Sequence, residues 1–148
     1  MQFSMSIEYA IHGLVYLAAA GSASSTLAGD IAKAIRVPES YLRKVFQLLV
    51  RSGIVVSHRG AKGGFTLGRD PERITLKDVV EAIDGTLPLY SCLKAARHCS
   101  DAETCPVSEA FAEARKSMAK VLETASIRDL ARGISKRSAQ WLKVTECA

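Results

Sequence analysis

The chain has 148 residues, of which 48% are apolar and 24% charged. This composition excludes a wholly disordered chain, and the length indicates one domain, or one small domain with an extension. Lys and Arg total 20 against 15 acidic residues, and the resulting net charge of +5 favours a polyanionic partner, either nucleic acid or a membrane surface.

The first predicted element is an amphipathic helix from about Ser4 to Ala20, which ends at Gly21. Its apolar run superficially resembles a signal peptide, but no Lys or Arg precedes the run, and Glu8 and His12 interrupt it. It is also too short to span a bilayer. We therefore expect the helix to pack into the core of a cytoplasmic protein that makes no membrane contact.

Two short helices are predicted next. The second helix begins near Thr26, which is expected to cap it, and the third runs from Pro38 to Ser52. Gly53 is the expected left-handed terminator of the third helix. Two short helices joined by a tight turn predict a helix-turn-helix, although many helical proteins contain such a pair.

A glycine-rich basic loop separates two β-prone runs, Ile54–Val56 and Phe65–Leu67. This pattern predicts a β-hairpin, and a hairpin directly after a recognition helix is a wing. Arg59 and Lys62 would lie at its tip, where they could reach phosphates or a minor groove. The alternative is that the glycines only turn the chain. They are not a nucleotide-binding loop, because no Gly-Lys-Ser/Thr follows them.

The excess positive charge is concentrated between residues 30 and 69. This segment has eight basic residues against two acidic ones, so its net charge of +6 exceeds the +5 of the whole chain. The basic residues are Lys33, Arg36, Arg43, Lys44, Arg51, Arg59, Lys62 and Arg69. Such a patch is either the footprint of a nucleic-acid reader or a solvated helix face.

A short helix over Thr75–Ile83 is predicted next, followed by a stretch without periodicity up to Cys105. The longest periodic stretch then runs from Val107 to Ala125, and its apolar stripe is buried either by dimerisation or by packing back on its own domain. Ser126 is expected to cap a last short helix over residues 127–134.

The chain thus divides into four predicted segments. Residues 1–85 form a winged helix-turn-helix DNA-binding domain in a mainly α fold, and residues 86–106 a cysteine-bearing loop. Residues 107–134 form a dimerisation helix with a short following helix, and residues 135–148 a polar tail.

Three of the four cysteines, Cys92, Cys99 and Cys105, have the spacing C-x6-C-x5-C. A disulfide would leave one of the three unpaired, and the cytosol disfavours it. Zinc usually takes CxxC pairs, which this stretch lacks. Three thiolates on one loop can bind an iron–sulfur cluster, which normally needs a fourth ligand. The spacing alone leaves these alternatives open, and it assigns no role to Cys147.

The third helix and the wing resemble the Rrf-type family of winged-helix transcription regulators, over roughly residues 1–133. The residues that carry the resemblance are Glu8-Tyr9-Ala10, Ser40-Tyr41-Leu42, Phe46, Gly53-Ile54-Val55, Arg59-Gly60, Gly63-Gly64-Phe65 and Leu67-Gly68-Arg69-Asp70. The resemblance implies a homodimer that binds palindromic, double-stranded operator DNA. It also implies that the third helix lies in the major groove and the wing in the minor groove.

The resemblance also implies which side chains contact DNA. On the third helix these are Ser40, Tyr41, Arg43 and Lys44, and on the wing they are Arg59 and Lys62. Arg43 stands where an acidic residue is expected in IscR-like members of the family. Because a cation cannot accept from a cytosine amine, Arg43 could instead donate to guanine.

Three cysteines ahead of the long helix are typical of the cluster-binding members of this family. IscR-like members complete the site with a histidine at the position of Ser108 here, and serine is a poor ligand. NsrR-like members use an acidic residue on the first helix of the partner subunit, and Glu8 stands at that position. Glu8 is therefore the expected fourth ligand, with His98, His12 or a small thiol as alternatives, unless it is an ordinary surface acid. The acidic ligand favours [4Fe–4S] over [2Fe–2S].

Together these features predict a repressor whose operator binding is controlled by an iron–sulfur cluster that senses nitric oxide, redox state or iron supply. The alternatives are a winged-helix protein–protein adaptor and a cluster-free regulator with redox-active thiols. An enzyme is not expected, because the sequence shows no Ser/His/Asp or Cys/His catalytic arrangement.

Overall fold

The computed structural model of the chain describes residues 3–21, 25–60, 63–85 and 105–137. Within these ranges it has six α-helices, one two-stranded hairpin and one 3-10 turn, so the predicted mainly α winged fold is confirmed. In chain order the elements are α1 (Met5–Ala20), α2 (Ala28–Ala34), α3 (Glu39–Arg51), β1 (Val55–His58), β2 (Gly64–Leu67), the 3-10 turn (Pro71–Arg73), α4 (Leu76–Asp84), α5 (Pro106–Thr124) and α6 (Ile127–Arg137).

The core lies where α1, α2, α3 and the hairpin meet. Phe46 of α3 is fully buried, and its ring centroid lies 4.9 Å from that of Phe65 on β2. Leu14 and Ala10 of α1 are also fully buried, so the expectation that the first helix packs into a core is confirmed. None of the described helices combines the length and the apolarity that crossing a membrane requires.

A tight turn joins α2 to α3, as predicted, and α3 begins one residue later than expected, with Pro38 at its N-cap. The predicted capping of α2 by Thr26 is wrong. Leu27 is the N-cap of α2, which has no side-chain cap. Thr26 instead pairs with β2 through its backbone, since its N–H donates to the Phe65 carbonyl at 3.0 Å and its carbonyl accepts from the Phe65 N–H at 2.8 Å. This pairing holds Thr26 in an extended segment outside the helix.

The hairpin is antiparallel, with Val55 opposite Leu67 and His58 opposite Gly64. Gly60 lies in the connecting turn with φ of +105°, a conformation that a glycine adopts without steric cost. The predicted wing is therefore present, although β1 begins at Val55 and extends to His58.

Both α4 and α6 begin at a side-chain cap, of which only the cap of α6 was predicted, and α4 begins one residue after the predicted Thr75. Thr75 forms a capping box at the start of α4, since its hydroxyl accepts from Asp78 N–H and the Asp78 carboxylate accepts from Thr75 N–H. The Ser126 hydroxyl accepts from the Asp129 N–H at 3.1 Å, which confirms the predicted cap of α6. This helix extends to Arg137, beyond the predicted end at residue 134, so its last turn includes the first residues of the predicted tail.

Candidate nucleic-acid interface

The basic side chains between residues 30 and 69 face solvent. All of those that the structure describes are exposed: Lys33, Arg36, Arg43, Lys44, Arg51, Arg59 and Arg69. Lys62, predicted at the wing tip, lies outside the described residues. Exposed positive charge on one contiguous segment is the arrangement that attracts a polyanion.

The core packing of α3 explains why its basic side chains are exposed. Leu42, Val45, Phe46 and Leu49 recur at three- and four-residue steps and are buried, so they fix which side of the helix faces inward. Ser40, Arg43 and Lys44 lie on the remaining surface and are exposed. The helix thus presents a short polar residue and two cations near its N-terminal end, which is the end that reads bases in helix-turn-helix proteins.

An open groove of about 780 Å³ separates α3 from the hairpin and from the start of α2. We refer to it as the α3–hairpin groove. Its polar lining comes from Asp30 on α2, from Glu39, Arg43, Gln47 and Arg51 on α3, and from Ser57, His58 and Arg59 on the hairpin side. The groove therefore brings together a cation of the recognition helix and a cation of the wing, which are distant in sequence.

Tyr41 differs from the other predicted contact residues because it is half-buried. Its hydroxyl shares a 2.8 Å hydrogen bond with the Ser6 hydroxyl of α1, and its ring packs edge-on against Tyr9 with centroids 5.5 Å apart. Tyr41 therefore fastens the start of α3 to α1. Its hydroxyl can form more than one hydrogen bond, so a further contact to a phosphate is still available.

Arg43 is exposed but its guanidinium is held by Glu39, one helical turn earlier. Glu39 Oε1 accepts from Arg43 Nη2 at 2.6 Å and from Nε at 2.8 Å. Glu39 is not among the site residues predicted from the sequence, although the spacing of four residues between an acid and a base on a predicted helix was a usable signal. Gln47 and His58 also line the groove and were likewise not selected.

The wing is braced at the end of β1. The His58 ring Nε2 lies 2.9 Å from the Thr66 hydroxyl on the opposite strand, within hydrogen-bonding distance. Arg59 follows β1 directly and is exposed on the rim of the α3–hairpin groove.

The predicted metal ligands are only partly within the described residues. Cys105 is half-exposed at the N-cap of α5, and Glu8 is exposed in the first turn of α1. Cys92, Cys99, His98 and Cys147 lie outside the described part of the chain. Among the residues that are described, no cluster of three or more His, Cys, Asp or Glu side chains could hold a metal ion.

His12 lies one turn after Glu8 on α1 and is half-buried. Burial lowers the pKa of its imidazole below the usual value, and the negative charge of Glu8 opposes this change. Its position places a histidine on the same helix face as the candidate carboxylate ligand.

The helix-turn-helix, the hairpin and the basic groove between them define a winged-helix DNA-binding protein. The model of the Rrf2 family, described as iron-dependent transcriptional regulators, matches residues 3–133. The chain therefore belongs to the Rrf2 family of transcriptional regulators, which bind DNA, and the predicted resemblance is confirmed.

The chain is also similar to individual proteins over most of its length. Protein aau3 of Rhizobium meliloti (strain 1021) is 34% identical over 131 residues, which cover 88% of this chain and 84% of the relative. The transcriptional regulator NsrR of Geobacillus kaustophilus (strain HTA426) is 30% identical over 131 residues, covering 88% and 89%. The solved structure of CymR, the global cysteine regulator of B. subtilis, superposes with a TM-score of 0.75 at 26% identity, covering 90% and 98% of the two chains.

Proposed function

We propose that this protein is a cytoplasmic repressor that binds palindromic operator DNA as a homodimer, with α3 in the major groove and the hairpin in the minor groove. The observation that carries the proposal is the shared position of Arg43 of α3 and Arg59 of the hairpin on one open basic groove. Ser40, Tyr41 and Lys44 would complete the contacts from α3, and Lys62 those from the wing.

The wing contact is tested by Arg59→Ala. Loss of one phosphate contact should lower operator affinity and flatten the dependence of log K on log salt by about 0.9. Arg73→Ala is the matched control, because it removes the same charge from an exposed position on the 3-10 turn, outside the groove and outside α5. Unchanged affinity of Arg59→Ala at every salt concentration would remove the wing contact. If the chain instead binds only to another protein, with an affinity that does not depend on salt, the alternative of a winged-helix protein–protein adaptor is favoured.

Dimerisation through α5 is supported by its uneven packing. Met118 and Leu122, in its C-terminal half, pack with Ile7 of α1 and Val80 of α4, whereas Val107 and Phe111 near its start are exposed. No residue of this helix is buried in the single chain. Because an exposed apolar helix face favours association, Val107→Glu should convert a dimer into a monomer in sedimentation analysis. A wild-type protein that sediments as a monomer at micromolar concentration would refute this part.

We further propose that an iron–sulfur cluster controls operator binding, held by Cys92, Cys99 and Cys105 of one subunit and Glu8 of the other. The half-exposed Cys105 and the exposed Glu8 fit this role, since ligands from two subunits must each be reachable from outside their own chain. The cluster would supply redox and ligand-exchange chemistry, and a hard carboxylate beside thiolates makes an exchangeable ligand.

Contacts of α1 can pass a change at Glu8 to the DNA-binding surface. Tyr9 follows Glu8 directly and packs against Tyr41, and the Tyr41 hydroxyl is bonded to Ser6 on the same helix. A displacement of α1 therefore moves the start of α3. In a dimer whose two recognition helices must match one turn of DNA, such a movement changes operator affinity.

The visible spectrum of anaerobically purified protein tests the cluster and distinguishes [4Fe–4S] from [2Fe–2S]. A brown, iron-containing preparation is expected, and Glu8→Ala should lose iron faster than Glu81→Ala, which removes an exposed acid from α4. A colourless, iron-free preparation from iron-replete cells would refute the cluster. The similarity to the cysteine regulator CymR then favours the alternative of a cluster-free regulator with redox-active thiols.

A further inference from the structure

Glu39 occupies a defined position between two helices of the α3–hairpin groove. Its Oε1 atom accepts from Nε and Nη2 of Arg43. Its Oε2 atom lies on the other side, 3.1 Å from the point that a Cβ atom on Gly29 of α2 would occupy. The carboxylate thus lies close to Gly29 of α2 on one side and is bonded to the guanidinium of α3 on the other, although both charged side chains are about half exposed.

The hydrogen bonds to Glu39 leave one edge of the Arg43 guanidinium available. A guanidinium has five N–H donors in a planar fork, and the two atoms bound to Oε1 form its side edge. The hydrogen bonds to Glu39 do not use the end edge, which has one N–H on each terminal nitrogen. This edge matches the paired acceptors O6 and N7 of guanine in the major groove.

We propose that Glu39 determines specificity by positioning Arg43, so that the arginine presents its end edge to one guanine in each operator half-site. The inference rests on the proposed function, in which α3 lies in the major groove. Without Glu39, the long and flexible arginine side chain could reach a phosphate as readily as a base. Glu39 would thus turn a general cationic contact into a base-specific one.

The competing explanation is a purely structural role for Glu39. An acid in the first turn of a helix interacts favourably with the helix dipole, and an acid and a base four residues apart support helix formation. Glu39→Asp separates the two explanations. It keeps the negative charge in the first turn, but its side chain is one methylene shorter, so we expect it not to reach Gly29 and Arg43 simultaneously. Glu39→Gln keeps the length and one oxygen acceptor, loses the charge, and replaces the second oxygen with an NH2 donor.

The experiment uses duplexes that the wild-type protein selects from a random-sequence pool. The same selection with Arg43→Ala identifies the base pair that Arg43 reads. This is the pair at which the wild-type protein has a base preference and the variant has none. Affinities are then measured for duplexes with guanine, adenine or 7-deazaguanine at that pair, the last of which lacks the N7 acceptor. The wild-type protein should prefer guanine about tenfold, which is typical of one bidentate contact.

Glu39→Ala and Glu39→Asp should reduce this preference to about twofold, whereas Glu39→Gln should retain most of it. Glu39→Ala added to Arg43→Ala should cause no further loss at that pair. Unchanged guanine preference in both Glu39→Ala and Glu39→Asp, or an equal loss of affinity for all duplexes, would overturn the inference alone. A wild-type protein that binds no duplex would overturn the proposed function and this inference with it.

Discussion

Gly64→Ala tests whether the wing is attached to the segment before α2. The added Cβ atom would lie 2.2 Å from the Thr26 carbonyl oxygen, and real Cβ atoms essentially never approach within 3.0 Å. The two backbones must therefore separate by at least about 0.8 Å. The contacted atom belongs to the backbone, so a side-chain rotation cannot relieve the overlap.

The magnitude follows from the hydrogen bonds that this separation breaks. Thr26 and Phe65 exchange two backbone hydrogen bonds of 2.8 and 3.0 Å, and a shift of this size takes both beyond hydrogen-bonding distance. At about 1 kcal/mol for each bond, the variant should lose about 2 kcal/mol of stability. For a chain of this length that loss lowers Tm by about 8 °C.

Thermal unfolding followed by circular dichroism measures the loss, and operator binding measures its effect on the wing. Gly133→Ala is the matched control, since nothing lies within 4 Å of a Cβ atom added there on α6. This control should leave Tm unchanged or raise it, because alanine favours a helix more than glycine does. Equal Tm values for Gly64→Ala and the wild type would refute the attachment of the wing through Thr26.

Three further changes have defined outcomes. Gly13→Ala places a Cβ atom 2.7 Å from the ring of the fully buried Phe46. Overpacking should therefore outweigh the gain in helix propensity, and chemical denaturation should show a loss of about 1 kcal/mol in stability. A gain in stability would contradict the close approach of α1 to α3. Thr75→Ala removes the capping box of α4 and should cost about 1 kcal/mol, whereas Thr75→Ser should not. The backbone N–H of Glu72, with a smaller contribution from Arg128, lowers the pKa of Asp70. Because the folded-state pKa is depressed, the stabilisation from ionised Asp70 is complete above the unfolded pKa of about 3.9 and is lost as the pH falls through the folded value. Asp70→Asn should therefore lose less stability than the wild type between neutral and acidic pH. Identical losses in the two proteins would contradict the role of Asp70 in this pH dependence.

The elements that the sequence predicted well are those that local chemistry determines. The apolar periods of α1, α3 and α5 and the cap at Ser126 involve residues within a few positions of each other. The hairpin was also predictable, since its turn glycines lie between two short β-prone runs. These signals place the basic residues on the right elements without any knowledge of tertiary contacts.

Long-range contacts account for what the sequence did not predict. Thr26 has the chemistry of a helix cap, but its backbone pairs with Phe65, which is distant in the chain. Tyr41 has the chemistry of a DNA contact, and its position in the sequence does not reveal that its ring packs on Tyr9 and its hydroxyl bonds Ser6 of α1. The role of Glu39 depends on Gly29 as well as on Arg43, and only the packing of α2 against α3 brings the three together.

The most direct test of the proposed function compares operator affinity in one anaerobic preparation before and after removal of its iron. Cluster control predicts a brown, iron-containing protein whose operator affinity changes by about fivefold or more when iron is removed, as expected for an allosteric coupling. A colourless, iron-free preparation, or equal operator affinity of the iron-containing and iron-depleted forms, would contradict it.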